Sequence, residues 1–243
     1  MLKKTYSAFT AFTLFTSMNV HSTQIDELSL EDLMDVPIDV TSNTKEGLRS
    51  APGIVTVINA DDIKSAGFRD LKEILASVPG FTFGHDVAGI VSTINRGIWA
   101  QEGRTLLLLD GVELNEVSYG SIQLGNHIPA DIIQKVEVIR GPGSALYGGF
   151  AELGVINIIT KKGEDIDGVQ ASSLYAGTEK GSSRFNNTFL LGKKINDLDF
   201  SIKGAKLQGN ASDKKFKDYN GNSETLNGQS NLDNLFLSVD VNY

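Results

Sequence analysis

Cysteine is absent from the 243 residues, and histidine occurs only three times. Without thiols the chain can build neither a disulfide framework nor a thiolate metal site, although that lack says little about compartment by itself. His21, His85 and His127 have no partners close by in the sequence, and no G-x-S-x-G or H-E-x-x-H string occurs. No enzyme emerges, and neither a cofactor nor a metal is expected. Asp218, Asn220 and Asn222 imitate the start of a calcium loop, but Ser223 replaces its glycine and Gln229 its bidentate glutamate. Positive charge is also scarce: 22 Lys and Arg face 30 Asp and Glu, a formal charge of −8. A chain of that balance repels phosphate backbones, which excludes nucleic acid as a partner.

What apolar run there is lies at the amino terminus, at residues 8–20 behind Lys3 and Lys4. It is shorter than the ~20 residues a membrane helix needs. A basic start, an apolar middle and small or aliphatic residues at Val20 and Ser22 predict a secretory signal peptide over 1–22. A buried N-terminal helix is the plainer alternative. Removing the segment deletes two lysines and no acids, leaving 20 basic against 30 acidic residues and a charge of −10.

Against these absences stands a dense run of glycine at residues 136–161, VEVIRGPGSALYGGFAELGVINIITK. Its ends are β-branched and predict strands, with Gly141, Pro142, Gly143, Gly148, Gly149 and Gly154 between them. A dinucleotide loop fails because Leu146 stands where the third glycine belongs and no room remains for a helix. A Walker loop fails because Gly148 and Gly149 are followed by Phe150. The stretch resembles the plug domain of TonB-dependent outer-membrane receptors, on Arg140, Gly141, Pro142, Leu146, Tyr147, Gly148, Gly154, Val155, Ile156, Asn157, Ile158, Thr160 and Lys161. PGFTF at 79–83, INRGI at 94–98, RTLLLLDGVELN at 104–115 and IPADIIQKVEVIRGP at 128–142 extend the resemblance in order over roughly 36–163.

The residues themselves support a small α+β unit. GIVTVI at 53–58 predicts a first strand, and Asn59 with Asp62 predicts the cap of a helix that Gly67 ends. Leu71, Ile74, Leu75 and Val78 share one face of a second helix over 69–77, stopped by Pro79 and Gly80. TLLLLDG reads as a strand buried on both sides and closed by an Asp-Gly turn. The expected architecture is an α+β plug domain, a mixed sheet with short helices, at 45–163. Antiparallel transmembrane-type β-strands of an incomplete barrel follow at 164–243.

Residues 23–44 form the expected tether. Ser29 and Asp32 suggest a capped short helix that Pro37 stops. Ile38, Asp39, Val40, Thr41, Ser42 and Asn43 then resemble the TonB box, which an inner-membrane energy-coupling protein of the TonB type grips by β-augmentation. A bare linker fits the same residues.

After 163, Leu198, Phe200 and Ile202 alternate with Asp199, Ser201 and Lys203, and Leu235, Leu237, Val239, Val241 and Tyr243 form a second alternating run. This is the apolar-out, polar-in pattern of an outer-membrane wall, although a soluble antiparallel sheet alternates in the same way. Runs at 169–177 and 185–192 are weaker, and 210–231 reads as a polar loop. Four strands fit in these 80 residues, fewer than the eight of the smallest barrel. The chain is therefore expected to be a piece of a receptor, a frameshifted product or half of a split one.

The resemblance implies a Gram-negative outer-membrane receptor, embedded in outer-membrane lipid, for an iron chelate or a cobalamin-like substrate. It implies apical loops at 84–93, 99–103 and 115–126, with Trp99 and Tyr119 as a possible ligand lip; either ring could equally pack on the barrel wall. It also implies that Arg96 and Arg140 pair with barrel carboxylates, which here would lie on missing strands. A periplasmic plug-like module that engages the coupling protein without transport, and an inactive truncated receptor, remain alternatives.

Overall fold

The computed structural model describes residues 37–38, 46–47, 54–85, 91–100, 103–122, 124–141, 147, 149–177, 183–210, 215–225 and 231–243. The expected signal peptide and the tether helix lie outside these residues, as do Asp39, Val40, Thr41, Ser42 and Asn43. Strands β1 (Pro37–Ile38) and β2 (Glu46–Gly47) pair antiparallel, Pro37 with Gly47 and Ile38 with Glu46.

A five-stranded mixed sheet organises the first unit: β3 (Ile54–Asn59), β9 (Ile133–Arg140), β10 (Gly154–Thr160), β7 (Thr105–Leu109) and β8 (Val112–Glu113), in that spatial order. Only the β10–β7 pair is parallel. The central run VINIIT is apolar on both faces because both faces are covered. Ile156 and Ile158 pack with Val136, Val138 and Leu107 in the larger core, while Val155 joins Leu106, Ile139 and Ala151 on the other side. Gly154 opens this strand where a Cβ would stand 2.5 Å from the Ile139 carbonyl oxygen.

Two short helices seal the larger face. Helix α1 (Ala60–Ala66) starts with the Asp62 carboxylate accepting from the Asn59 amide at 3.0 Å, and Gly67 ends it in the left-handed region at φ 69°. Helix α2 (Leu71–Ala76) is shorter than the expected 69–77. Its cap is Asp70, whose carboxylate accepts from the Glu73 amide at 3.0 Å, so Arg69 falls outside and pairs its guanidinium with Glu73 instead. Leu71, Ile74 and Leu75 are buried as the periodicity predicts. Residues of the helix-prone ADIIQ form a 3-10 turn, Ala130–Ile132, before β9.

A smaller sheet of β4 (Phe81–His85), β5 (Val91–Asn95) and β6 (Ile98–Trp99) sits beside the first. Its tight turn is Arg96-Gly97, with φ of 50° and 82°. Two successive positive φ values match the right-handed twist of a two-residue hairpin.

After a single helical turn, α3 (Gly163–Ile166), comes a four-stranded antiparallel sheet: β11 (Gly168–Gly177), β12 (Ser183–Ile195), β13 (Leu198–Asn210) and β16 (Asn231–Asn242). Strands of 10 to 13 residues are long enough to cross a hydrocarbon core. The alternation runs as expected. Leu235, Leu237, Val239 and Val241 are exposed, whereas Thr188, Leu190, Ser201, Lys203, Ala205 and Leu207 are buried. The 210–231 connection carries a two-residue ladder, β14 (Phe216–Lys217) with β15 (Ser223–Glu224). Asp218 closes its turn by accepting from the amide and the side chain of Asn222, at 2.7 and 3.0 Å.

The plug core and the outward face of the wall predict different responses to truncation. Ile156→Ala should lower stability by about 2–5 kcal/mol, because it opens a cavity at the centre of the plug core. Val239→Ala, on the outward face, should leave the plug's transition in place. Denaturant titration of the detergent-solubilised chain, followed by the emission of Trp99, the single tryptophan, distinguishes them.

Candidate functional site

Strand register places the apical residues. Gly154 pairs with both Thr105 and Arg140, and Arg140 with Ile54, so these four share one end of the main sheet. Asp110 and Thr160 mark the other end, joined by two hydrogen bonds. Asn95 Nδ2 donates to the Leu153 carbonyl at 2.9 Å, which brings β5 and β6 to the Gly154 end. Gly103 and Gly120 touch there: a Cβ on Gly120 would stand 2.6 Å from the Gly103 Cα. Trp99 and Tyr119 therefore lie at the same end.

The Tyr119 loop is held by its own backbone. Buried Asn115 accepts from the Leu107 amide at 2.8 Å and donates to the carbonyls of Thr105 and Gly120 at 2.9 and 2.8 Å. The Glu116 carboxylate accepts from the amides of Ser118 and Tyr119 at 2.6 and 2.8 Å. These bonds, Ser118 first, hold the Glu116 carboxyl below the usual carboxylate range. The loop thereby presents Val117 and Tyr119 to solvent, Tyr119 at 74% exposure. Trp99 lays its ring over Gly84, where a Cβ would stand 2.5 Å from Cζ3, and stays 36% exposed. An aromatic ring with a polar handle on a fixed loop suits a contact with a large ligand.

Arg140 bonds within the plug itself. Arg140 donates to the Pro79 carbonyl at 2.7 Å and to Thr56 Oγ1 at 2.9 Å, and its Nε is buried without a partner. Arg140 thus ties the end of β9 to β3 and to the turn after α2. Arg96 is exposed, with Nη2 3.5 Å from the Arg140 carbonyl. Among the described residues neither meets a carboxylate. Gly141 and Tyr147 are described, with Tyr147 packed on the smaller core, whereas Pro142, Leu146 and Gly148 lie outside the described residues.

The charge pairing between plug and wall instead runs in the opposite sense. Arg184 of β12 reaches Asp70 at the start of α2, 2.7 Å away. Asn126 and Asn186 exchange two amide hydrogen bonds at 2.8 and 2.7 Å. Asn234 Nδ2 lies 3.1 Å from His127 Nδ1, so His127 is not a free loop residue, and burial pushes its pKa down. Alternation marks Asn186 and Asn234 as inward-facing, but nothing local in the sequence names partners 60 and 107 residues away.

A five-stranded mixed sheet with two short helices is docked on the inner face of a four-stranded antiparallel wall, the arrangement of a plug domain followed by the first strands of a barrel. Residues 47–155 match the family model "TonB-dependent Receptor Plug Domain", and the chain carries that plug together with the first strands of a wall. The Vitamin B12 transporter BtuB of Vibrio vulnificus is 37% identical over 147 residues, 58% of this chain and 23% of that protein. The ferric enterobactin receptor PirA of Pseudomonas aeruginosa is 31% identical over 241 residues, 88% of this chain and 31% of that protein. Among solved structures, the siderophore receptor PirA from Acinetobacter baumannii superposes with a TM-score of 0.54 at 25% identity, over 68% of this chain and 26% of that one. A mutant ferric enterobactin receptor from Pseudomonas aeruginosa in complex with enterobactin gives a TM-score of 0.52 at 27% identity, with the same coverage. The chain spans about a quarter to a third of these relatives.

The Glu116 loop predicts a pH response. A carboxyl whose folded pKa is depressed stabilises its fold above the ordinary carboxylate pKa of about 4.3, and that contribution is lost as pH falls through the folded value. Amide exchange of Ser118 and Tyr119 should therefore accelerate in acid beyond the intrinsic rate. In Glu116→Gln the acid dependence should vanish.

Proposed function

We propose that this chain is the N-terminal part of a TonB-dependent receptor of the Gram-negative outer membrane, and that it serves energy-coupled import of a scarce nutrient of the ferric-siderophore or cobalamin class. The observation that carries the reading is the preorganised loop in which Asn115 and Glu116 hold Tyr119 outward, at the end of the plug that also carries Trp99, on a plug matched to this family. Substrate lands on that end, and the plug closes the path beneath it. On this reading 1–22 is the signal peptide, 23–44 the periplasmic tether, 45–163 the plug and 164–243 the opening of the wall. The related proteins named for vitamin B12 and for ferric enterobactin bracket the substrate class without choosing within it.

Arg96 is the plug arginine best placed to meet a barrel carboxylate, since its guanidinium is exposed and holds a single 3.5 Å contact. The outward Leu235, Leu237, Val239 and Val241 face lipid. The TonB-type coupling protein takes the segment from Ile38 to Asn43 as an added strand. That Pro37 and Ile38 already pair in extended form with Gly47 and Glu46 supports a segment disposed to strand pairing.

Binding can be read from Trp99. A ferric catecholate or a cobalamin should quench its emission saturably in outer-membrane preparations, and Tyr119→Ala should weaken the binding about tenfold, the cost of losing one buried aromatic anchor. Linear, unsaturable quenching by both ligand classes would remove the ligand-lip assignment.

The coupling segment has its own measurement. A peptide of residues 37–44 should bind the periplasmic domain of a TonB-type protein through main-chain hydrogen bonds. Proline at Val40 or Thr41 should abolish most of that affinity, because it removes a donor and bends the strand. Equal titration curves for the proline peptides would make the segment a linker.

A further inference from the structure

Two side chains of opposite charge on one strand grip the short stretch where the plug runs into the wall. Lys203 of β13 is 1% exposed, and an ammonium so deeply buried is costly unless each of its three donors is met. Here all three are. Nζ donates to Thr160 Oγ1, to the Lys161 carbonyl at 3.2 Å, and to Asp240 of β16 at 2.9 Å. The Thr160 hydroxyl in turn donates to Asp110 at 2.7 Å, and the same carboxylate accepts from the Thr160 amide at 2.8 Å.

Asp199 stands four residues before Lys203 and so on the same face of the strand. Its carboxylate accepts from the amides of Gly163 and Glu164 at 2.8 and 2.9 Å, at the start of α3. Gly163 can lie this flat because a Cβ there would collide with the carbonyl oxygens of Phe200 and Lys193. The far end of the interface is less completely satisfied. There Arg184 meets the Asp70 carboxylate at 2.7 Å but leaves Nη1 buried without a partner, and the Asn126–Asn186 bonds join neutral groups. Charge-assisted bonds are roughly twice as strong as neutral ones.

We propose that Lys203 and Asp199 form a two-point clamp that makes residues 160–164 the fixed point of the plug on the wall. Displacement of the plug then pivots about this end and opens first at the end that bears Tyr119. The clamp requires only that plug and wall are docked, so it stands or falls separately from the transported substrate.

Hydrogen–deuterium exchange on the full chain in detergent micelles tests it. In the unaltered chain, amides of 160–166 should exchange more slowly than those of 124–128. Lys203→Met removes the charge-assisted bonds to Thr160 and to the Lys161 carbonyl and should accelerate 160–166 at least roughly ten- to hundredfold, while leaving 71–76 unchanged. Asp199→Asn should accelerate Gly163 and Glu164 more than Thr160. Thr160→Val removes one acceptor without burying a new charge, and combined with Lys203→Met it should add little to either single change. Unchanged rates at 160–166 in both Lys203→Met and Thr160→Val would overturn the clamp. So would additive effects of the two, or acceleration spread evenly over the whole plug.

Discussion

The plug and the wall depend on one constraint: the wall turns an apolar side outward and an inward side whose polar groups must be satisfied by protein. Side chains such as Asn186, Asp199, Ser201 and Lys203 cannot turn outward without meeting hydrocarbon, where an unmatched polar group costs several kcal/mol. The plug supplies the matching groups. It does so with main-chain amides at Gly163 and Glu164, carbonyls at Lys161 and Asn126, and the carboxylate of Asp70. The plug is thus more than an apolar core that happens to fit a ring of strands. Much of its surface is a template for the polar face of the wall.

Elements whose cause is local were legible in the sequence. Asn59 to Gly67 carries its cap and its stop within nine residues, and α1 occupies the interval between them. The β-branched run ending at Thr160 reads as a strand and is one, covered on both sides. Period-two alternation located the last two long wall strands and the side their residues face, because burial in an antiparallel sheet is decided residue by residue, whereas the first, β11, is exposed along most of both sides and reads weakly.

What could not be read has a non-local cause. The helix expected from Arg69 begins instead at Leu71, because Asp70 accepts from the Glu73 amide while Arg184, 114 residues away, holds its other oxygen. The resemblance implies carboxylate partners for the arginines of the Arg-Gly phrases, yet among the described residues Arg140 donates to a carbonyl and a hydroxyl of its own domain. Trp99 and Tyr119 are each recognisable as exposed aromatics, but their common location follows from the contact between Gly103 and Gly120, which no spacing announces.

The spatial order of the main sheet has a consequence for how the chain acquires its shape after export. β10 is the last of the five strands in the chain, yet it lies in the middle, between β9 and β7. Until residues 154–160 have emerged, β3 with β9 and β7 with β8 are two separate hairpin-like pairs with no shared ladder. Each offers a bare edge and an uncovered apolar face. Pairing between distant segments closes loops of high entropy and is slow. The domain therefore gains its cooperativity all at once and late, when one seven-residue strand inserts, and the species that precedes that insertion is the one whose bare edges invite pairing with other chains.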